Sequence, residues 1–188
     1  MVSVAILLDD TVDILDTHLR RANEANRHNK SRPKTSIVIG VVALLVVAVV
    51  SFAVSNKIAP VSSGFWGPIN ESDGVAIKGY DPVGYHLAGK ALPGSEEITT
   101  EWKGSVWRFV SEDNRSAFQS DPDRYSPAYG GFCGTAVSNG FTADVNPQVW
   151  NVEEGRLFLF NGDDPKADWV GGLGSGVIAT GDTNWATR

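Results

Sequence analysis

Hydrophobic positions divide the chain into three regimes. Over residues 4–22, Leu8, Val12, Leu15, Leu19 and Ala22 recur at steps of four and three. That spacing keeps them on one face of an α-helix. Asp9, Asp10, Asp13 and Asp16 come early, Arg20 and Arg21 late, which suits the helix dipole. Two readings of this amphipathic helix stand open. It pairs with another protein or with itself, or it rests solvated on a membrane surface. Two heptads are too few to define a coiled coil.

The second regime is apolar throughout. After a basic linker (Arg27, Lys30, Arg32, Lys34), no charge interrupts the chain from Thr35 to Asn56. About 20 apolar residues at ~1.5 Å each span a bilayer core. Residues 36–55 are thus expected as a transmembrane helix. The rival is a cleavable signal peptide with Ala53-Val54-Ser55 at its end, but signal h-regions run only ~7–15 residues. Four basic residues precede the segment and one, Lys57, follows it. The positive-inside rule puts residues 1–35 in the cytoplasm and residues 56–188 outside. The expected location is a single pass in the inner (cell) membrane, with an extracytoplasmic, periplasmic C-terminal part. Residues 56–70 read as a Pro/Gly/Ser-rich spacer. Phe65 and Trp66 within it either line the interface or pack on the domain.

The third regime, residues 71–188, alternates short strand patterns with short helix patterns. Val75-Ala76-Ile77 reads as a strand. Asp81 is a good N-cap and Pro82 a good first helical residue, so a short helix should run from there towards Gly89. Trp102 to Val110 reads as two strands across a Lys103-Gly104 turn. Ser111 should cap a helix, with Glu112 and Asp113 in its first turn and Ala117 and Phe118 inward. Asp121-Pro122-x-x-Tyr125 repeats the Asp81-Pro82-x-x-Tyr85 pattern. The repeat reads as one capped helix used twice, with a shared Tyr85/Tyr125 site as the alternative. Phe132 to Ser138 suggests a helix ended by Asn139-Gly140. Val149 to Phe160 suggests a second hairpin, Pro165 to Val170 a helix, and a last helix carries Trp185. The Gly171–Gly176 run brushes a phosphate-loop spacing, but it lacks the βαβ context and the Lys-Ser/Thr, so it reads as a linker. Hairpins interleaved with short helices indicate an α+β fold.

Charge and cysteine content narrow the function classes. Residues 1–55 carry a net +1 and residues 56–188 a net −7. An acidic folded part argues against nucleic acid, which needs a basic footprint. The chain has one cysteine and three histidines, of which only His86 follows the apolar segment. That excludes an internal disulfide, a cysteine-rich zinc site and a multi-histidine site.

Residues 74 to 185 carry, in order, Gly79-Tyr80-Asp81-Pro82-Val83, Trp102-x-Gly104-x-x-Trp107-x-Phe109, Ser111-x-x-Asn114, Phe118-x-x-Asp121-Pro122-x-x-Tyr125, Tyr129-Gly130-Gly131-x-Cys133, Trp150, Gly155-x-Leu157, Trp169 and Asn184-Trp185. In that order and spacing the segment resembles the YHS-domain family, in its single-domain secreted or membrane-anchored bacterial branch. The wider YHS and TRASH-type group is associated with heavy-metal binding through cysteines. This chain departs from that pattern: Gly84 and Val110 stand near where such thiols would fall, and no Cys follows Cys133. The resemblance therefore implies at most a copper or other soft-metal ion at Cys133, with His86 and Asp81 as the partners to hand. Tyr80, Tyr85, Tyr125, Tyr129, Gly130 and Gly131 are the other motif residues.

Three readings of Cys133 compete. It is a small apolar core residue, a reactive thiol near a helix start that favours its thiolate, or one ligand of a soft-metal site needing company. A Cys133-His86 nucleophile pair would need the two side chains within hydrogen-bond reach. Binding is favoured over catalysis. The expectation is a membrane-anchored, periplasmic YHS-like module that binds a soft metal or a thiol partner through Cys133. The alternatives are a structural interaction module with Cys133 in its core, and a thiol-redox protein. Residues 4–22 are the segment offered to a protein partner.

Overall fold

The computed structural model describes residues 16–24 and 33–188. It divides into two units, Met1–Phe52 and Ala53–Arg188. In the first, residues 16–24 are helical. Asp16 and Arg20 form an exposed i,i+4 ion pair at 2.8 Å, the favourable acid-before-base order on a helix. The rest of the segment expected over 4–22 lies outside the described residues. Helix α1, Pro33–Ser55, follows. Its stretch Ile37–Ser55 has a mean hydropathy of 3.2 and is not buried inside the protein. Nineteen residues at ~1.5 Å each reach about 28 Å, the thickness of a bilayer's hydrocarbon core. This helix is long and apolar enough to cross a membrane.

The second unit is α+β, with three small sheets among short helices. Strands β1 (Ala59–Pro60) and β6 (Phe141–Thr142) pair. Strands β2 (Glu71–Ser72), β3 (Val75–Ala76), β4 (Ser95–Trp102) and β5 (Ser105–Phe109) form a sheet of order β2-β3-β5-β4. Only the β3–β5 pair is parallel. Strands β7 (Asn146–Glu153) and β8 (Arg156–Phe160) form the second hairpin. Each hairpin turns where the sequence places it. Lys103 and Gly104 have φ of 50° and 78°, Glu154 and Gly155 50° and 75°. Paired positive φ matches the twist of the flanking strands.

The helices start on their expected caps. Helix α2, Pro82–Leu87, is capped by Asp81. Helix α3, Glu112–Ser120, is capped by Ser111, whose hydroxyl accepts from Asn114 N. Helix α4, Pro122–Tyr125, is capped by Asp121. Helices α5 (Gly134–Ser138), α6 (Asp163–Gly171) and α7 (Val177–Ala186) complete the unit. The glycine run at 171–176 ends α6, makes a 3-10 turn and starts α7 from Gly176 at φ 77°. It is a connector between helices.

One core joins these elements. Trp107 packs on Phe118 at 5.1 Å between ring centroids, and Phe158 on Trp169 at 4.5 Å. Leu157, Phe158, Leu159 and Phe160 are all fully buried. Successive strand residues point to opposite faces, so β8 is covered on both. Each fully buried large apolar side chain contributes about 1.5–3 kcal/mol.

Two expectations change here. The strand at 75–77 stops at Ala76, because Ile77 and Lys78 turn to positive φ. Residues 56–70, read as a spacer, are woven into the domain. Ala59 and Pro60 pair with Thr142 and Phe141. Val61, Ile69 and Asn70 are buried. Trp66 packs on the core while Phe65 stays half exposed against its ring. Lys57 donates to Asn70 Oδ1 at 2.6 Å, and Asn70 Nδ2 donates to Gly131 O at 3.0 Å and Asp144 Oδ1 at 3.2 Å. The Pro, Gly and Ser content reported turns, and partners far along the chain made them structure.

Candidate functional site

The stretch from Tyr125 to Gly134 is built around a left-handed bend. Tyr129, Gly130 and Gly131 have φ of 56°, 60° and 85°. A Cβ on Gly130 would stand 1.9 Å from Pro68 O, and one on Gly131 2.6 Å from Ile77 Cγ2. The absent side chains let Asn70 N donate to Gly130 O at 2.8 Å. The Tyr-Gly-Gly motif is therefore a docking notch for residues 68–70.

Cys133 follows this bend as the N-cap residue of α5 and makes no side-chain cap bond. Its side chain is in the core, at 2% exposure. Its N–H donates to Ala143 O at 3.0 Å, and its carbonyl accepts from Val137 N at 3.0 Å. It bridges Leu159 of the buried strand β8. The placement near a helix start is as expected, but that helix is only five residues long.

Asp81 is fully buried and fully occupied. Oδ1 accepts from Val83 N at 2.8 Å and Gly84 N at 3.2 Å. Oδ2 accepts from Val110 N at 2.9 Å and Asn114 Nδ2 at 2.7 Å. Four donors fill the lone-pair positions of a carboxylate. Asp81 thus pins α2 to the end of β5 and to α3, and leaves no oxygen for a metal. Asn114, noted in sequence only as part of a motif, is one of the residues doing this. Among the described residues, no group of three or more His, Cys, Asp or Glu side chains can hold a metal ion. Cys133, His86 and Asp81 are therefore not brought together as a three-donor site.

His86 ends α2 with its ring edge-on to Tyr125, at 5.5 Å between centroids. Its Nε2 is buried and has no hydrogen-bond partner among the described residues. Burial pushes its pKa down, the Arg124 cation adds to this, and the Tyr125 carbonyl partly opposes both. The folded ring is held neutral, while an unfolded one takes a proton near pH ~6.5. The stability this contributes is full above that pH and drains away as pH falls towards the lower folded value. The denaturant midpoint of the full chain in detergent should therefore drop between pH 7.5 and 5.5. His86→Gln should flatten that slope; an unchanged slope would remove His86 as its source.

The tyrosines divide between packing and anchoring. Tyr85 OH donates to Pro147 O at 2.8 Å, and its ring meets Trp150. Burial pushes its pKa well up. Tyr125 instead meets His86, so the two Asp-Pro-x-x-Tyr motifs are one capped helix used twice, with their tyrosines in different contacts. Tyr80 OH accepts from Gln148 Nε2 at 3.3 Å. Tyr129 OH donates to Ile178 O at 3.2 Å and lies against Gly181, where a Cβ would meet it at 2.4 Å. Burial, then the Asp182 charge, pushes its pKa up.

Beside the bend lies a cleft of about 700 Å³, lined by the Trp102-Lys103 turn, Asp123, Arg124, residues 126–130, Arg156 and the end of α7. Its salt bridge of Arg156 to Asp182 is two-pronged, at 2.9 and 2.7 Å. The sequence held no signal for this cleft, because its cationic residues stand far apart in the chain. No family model, curated protein or solved structure matches this chain.

Proposed function

We propose that this is a single-pass membrane protein that displays a YHS-like, non-catalytic binding module outside the cytoplasm, with Cys133 as a core residue. The observation that carries this reading is the burial of the only cysteine at 2% exposure against β8. A thiol that attacks or is oxidised must be reached by its reactant, and one that ligates a soft metal needs further donors. Asp81, the carboxylate offered as a metal partner, already holds four hydrogen bonds. Two further supports are independent of the thiol. Four basic residues precede the apolar helix and one follows it, a bias that supports a domain outside the cytoplasm. The motif order over residues 74–185 supports the YHS-like assignment.

One labelling experiment tests both halves. Spheroplasts expressing the full chain are treated with a membrane-impermeant maleimide, alongside a Ser116→Cys variant, whose site is exposed on α3. The expected result is labelling of the variant only, with Cys133 reacting once denaturant is added. Rapid labelling of native Cys133 would revive the thiol or soft-metal role. A variant that labels only after lysis would reverse the orientation.

A further inference from the structure

The cleft beside Tyr129 carries a charge pattern opposite to that of its domain. Lys103, Arg124, Arg156 and Arg188 line it, against Asp123 and Asp182. Its side chains thus sum to +2 on a unit whose side chains, over residues 56–188, sum to −7. A low-dielectric cleft of one sign concentrates ligands of the other.

All four cations are held on aromatic rings. Lys103 Nζ lies 4.0 Å from the centre of Trp102, and the Arg124 guanidinium 5.2 Å from Tyr125. That of Arg156 lies 5.8 Å from Tyr129, and that of Arg188 4.4 Å from Trp185. Cation–π contact fixes long side chains that would otherwise be mobile, and pre-fixed groups lose less entropy on binding.

Their partners differ. Lys103 pairs with Asp123, and Arg156 with Asp182. Among the described residues Arg188 has no acidic partner: its Nη1 and Nη2 are buried without an acceptor. Burial alone pushes its pKa down. A guanidinium fork suits the two oxygens of a carboxylate or phosphate. Leaving it desolvated and unpaired is costly. An oxyanion that drew the fork into the cleft would remove that cost.

We propose that this cleft binds a small organic anion, its carboxylate or phosphate paired with Arg188 and its body set among Trp102, Pro127 and Trp185. The proposal deepens the reading of the domain as a binding module and rests on it.

The test uses the full chain in detergent, followed by tryptophan fluorescence. Phenyl phosphate and benzoate are the anionic probes, and benzylamine is the cation of similar size. The expected result is a saturable change with at least one anion and none with benzylamine. Affinity should fall at least tenfold in Arg188→Gln and measurably in Lys103→Asn, with far-ultraviolet circular dichroism unchanged. No saturable response to either anion, an equal response to benzylamine, or unchanged affinity in a folded Arg188→Gln would overturn it. Should Arg188→Gln fail to fold, Lys103→Asn decides by itself. Failure here beside an unreactive native Cys133 removes the anion site and leaves the module standing. A reactive Cys133 removes the module reading instead.

Discussion

Replacing Asp81 by Ala should destabilise the domain by about 3–5 kcal/mol. The loss combines two effects. An N-cap carboxylate contributes about 0.5–2 kcal/mol. A buried donor left without its acceptor costs about 1–3 kcal/mol, which applies to Val83 N and Gly84 N, and the part-buried Val110 N and Asn114 Nδ2 would lose their acceptor as well. A small domain holds only about 5–15 kcal/mol in all, so the variant should sit near the edge of folding. Asp121→Ala is the internal control. Asp121 occupies the same place in the repeated Asp-Pro motif, but it is exposed, and of helix α4's amides it accepts only from Arg124 N. Its loss should be about 1 kcal/mol. Denaturant titration of the full chain in detergent compares the two. A shift for Asp81→Ala no larger than that for Asp121→Ala would mean the four-bond network contributes little. Asp81→Asn should fall between them, because its amide turns a donor towards donors.

Gly130→Ala should be at least as damaging, by about 3 kcal/mol or more. A left-handed backbone costs a non-glycine residue roughly 1–2 kcal/mol. The larger part is steric, since the new Cβ would stand 1.9 Å from Pro68 O, a backbone atom that cannot step aside alone. Relief would pull residues 68–70 off the bend and break the Asn70 N to Gly130 O bond. Gly140→Ala separates the two effects. Gly140 has φ 84°, and a Cβ there would meet nothing within 4 Å, so it should lose only the backbone share, about 1 kcal/mol. Matching midpoints for the two variants would show that residues 68–70 give way easily.

These variants also mark where sequence reading succeeds. Asp81, Ser111 and Asp121 cap helices because a cap is made within three residues. The Lys103-Gly104 and Glu154-Gly155 turns are equally local. The apolar run of α1 is legible for the same reason, since a membrane reads a helix by length and hydropathy. What escaped sequence reading depends on partners far along the chain. Asn114 reaches Asp81 across 33 positions, and Asn70 reaches Gly131 across 61. No local pattern marks either. Residues 56–70 looked like a spacer because their strand is two residues long and its partner lies some 80 positions on.

Cys133 shows the division most sharply. From composition and order alone, the chain determined an α+β domain after one apolar helix, and a single thiol at the start of a short helix beside two glycines. Those features follow from local spacing and from residue counts. Tertiary structure alone decided that the thiol faces the core, that both oxygens of Asp81 are consumed, and that four cations from separate elements meet in one cleft. Burial, hydrogen-bond saturation and electrostatic focusing all depend on which distant segments pack together, and a linear pattern does not carry that.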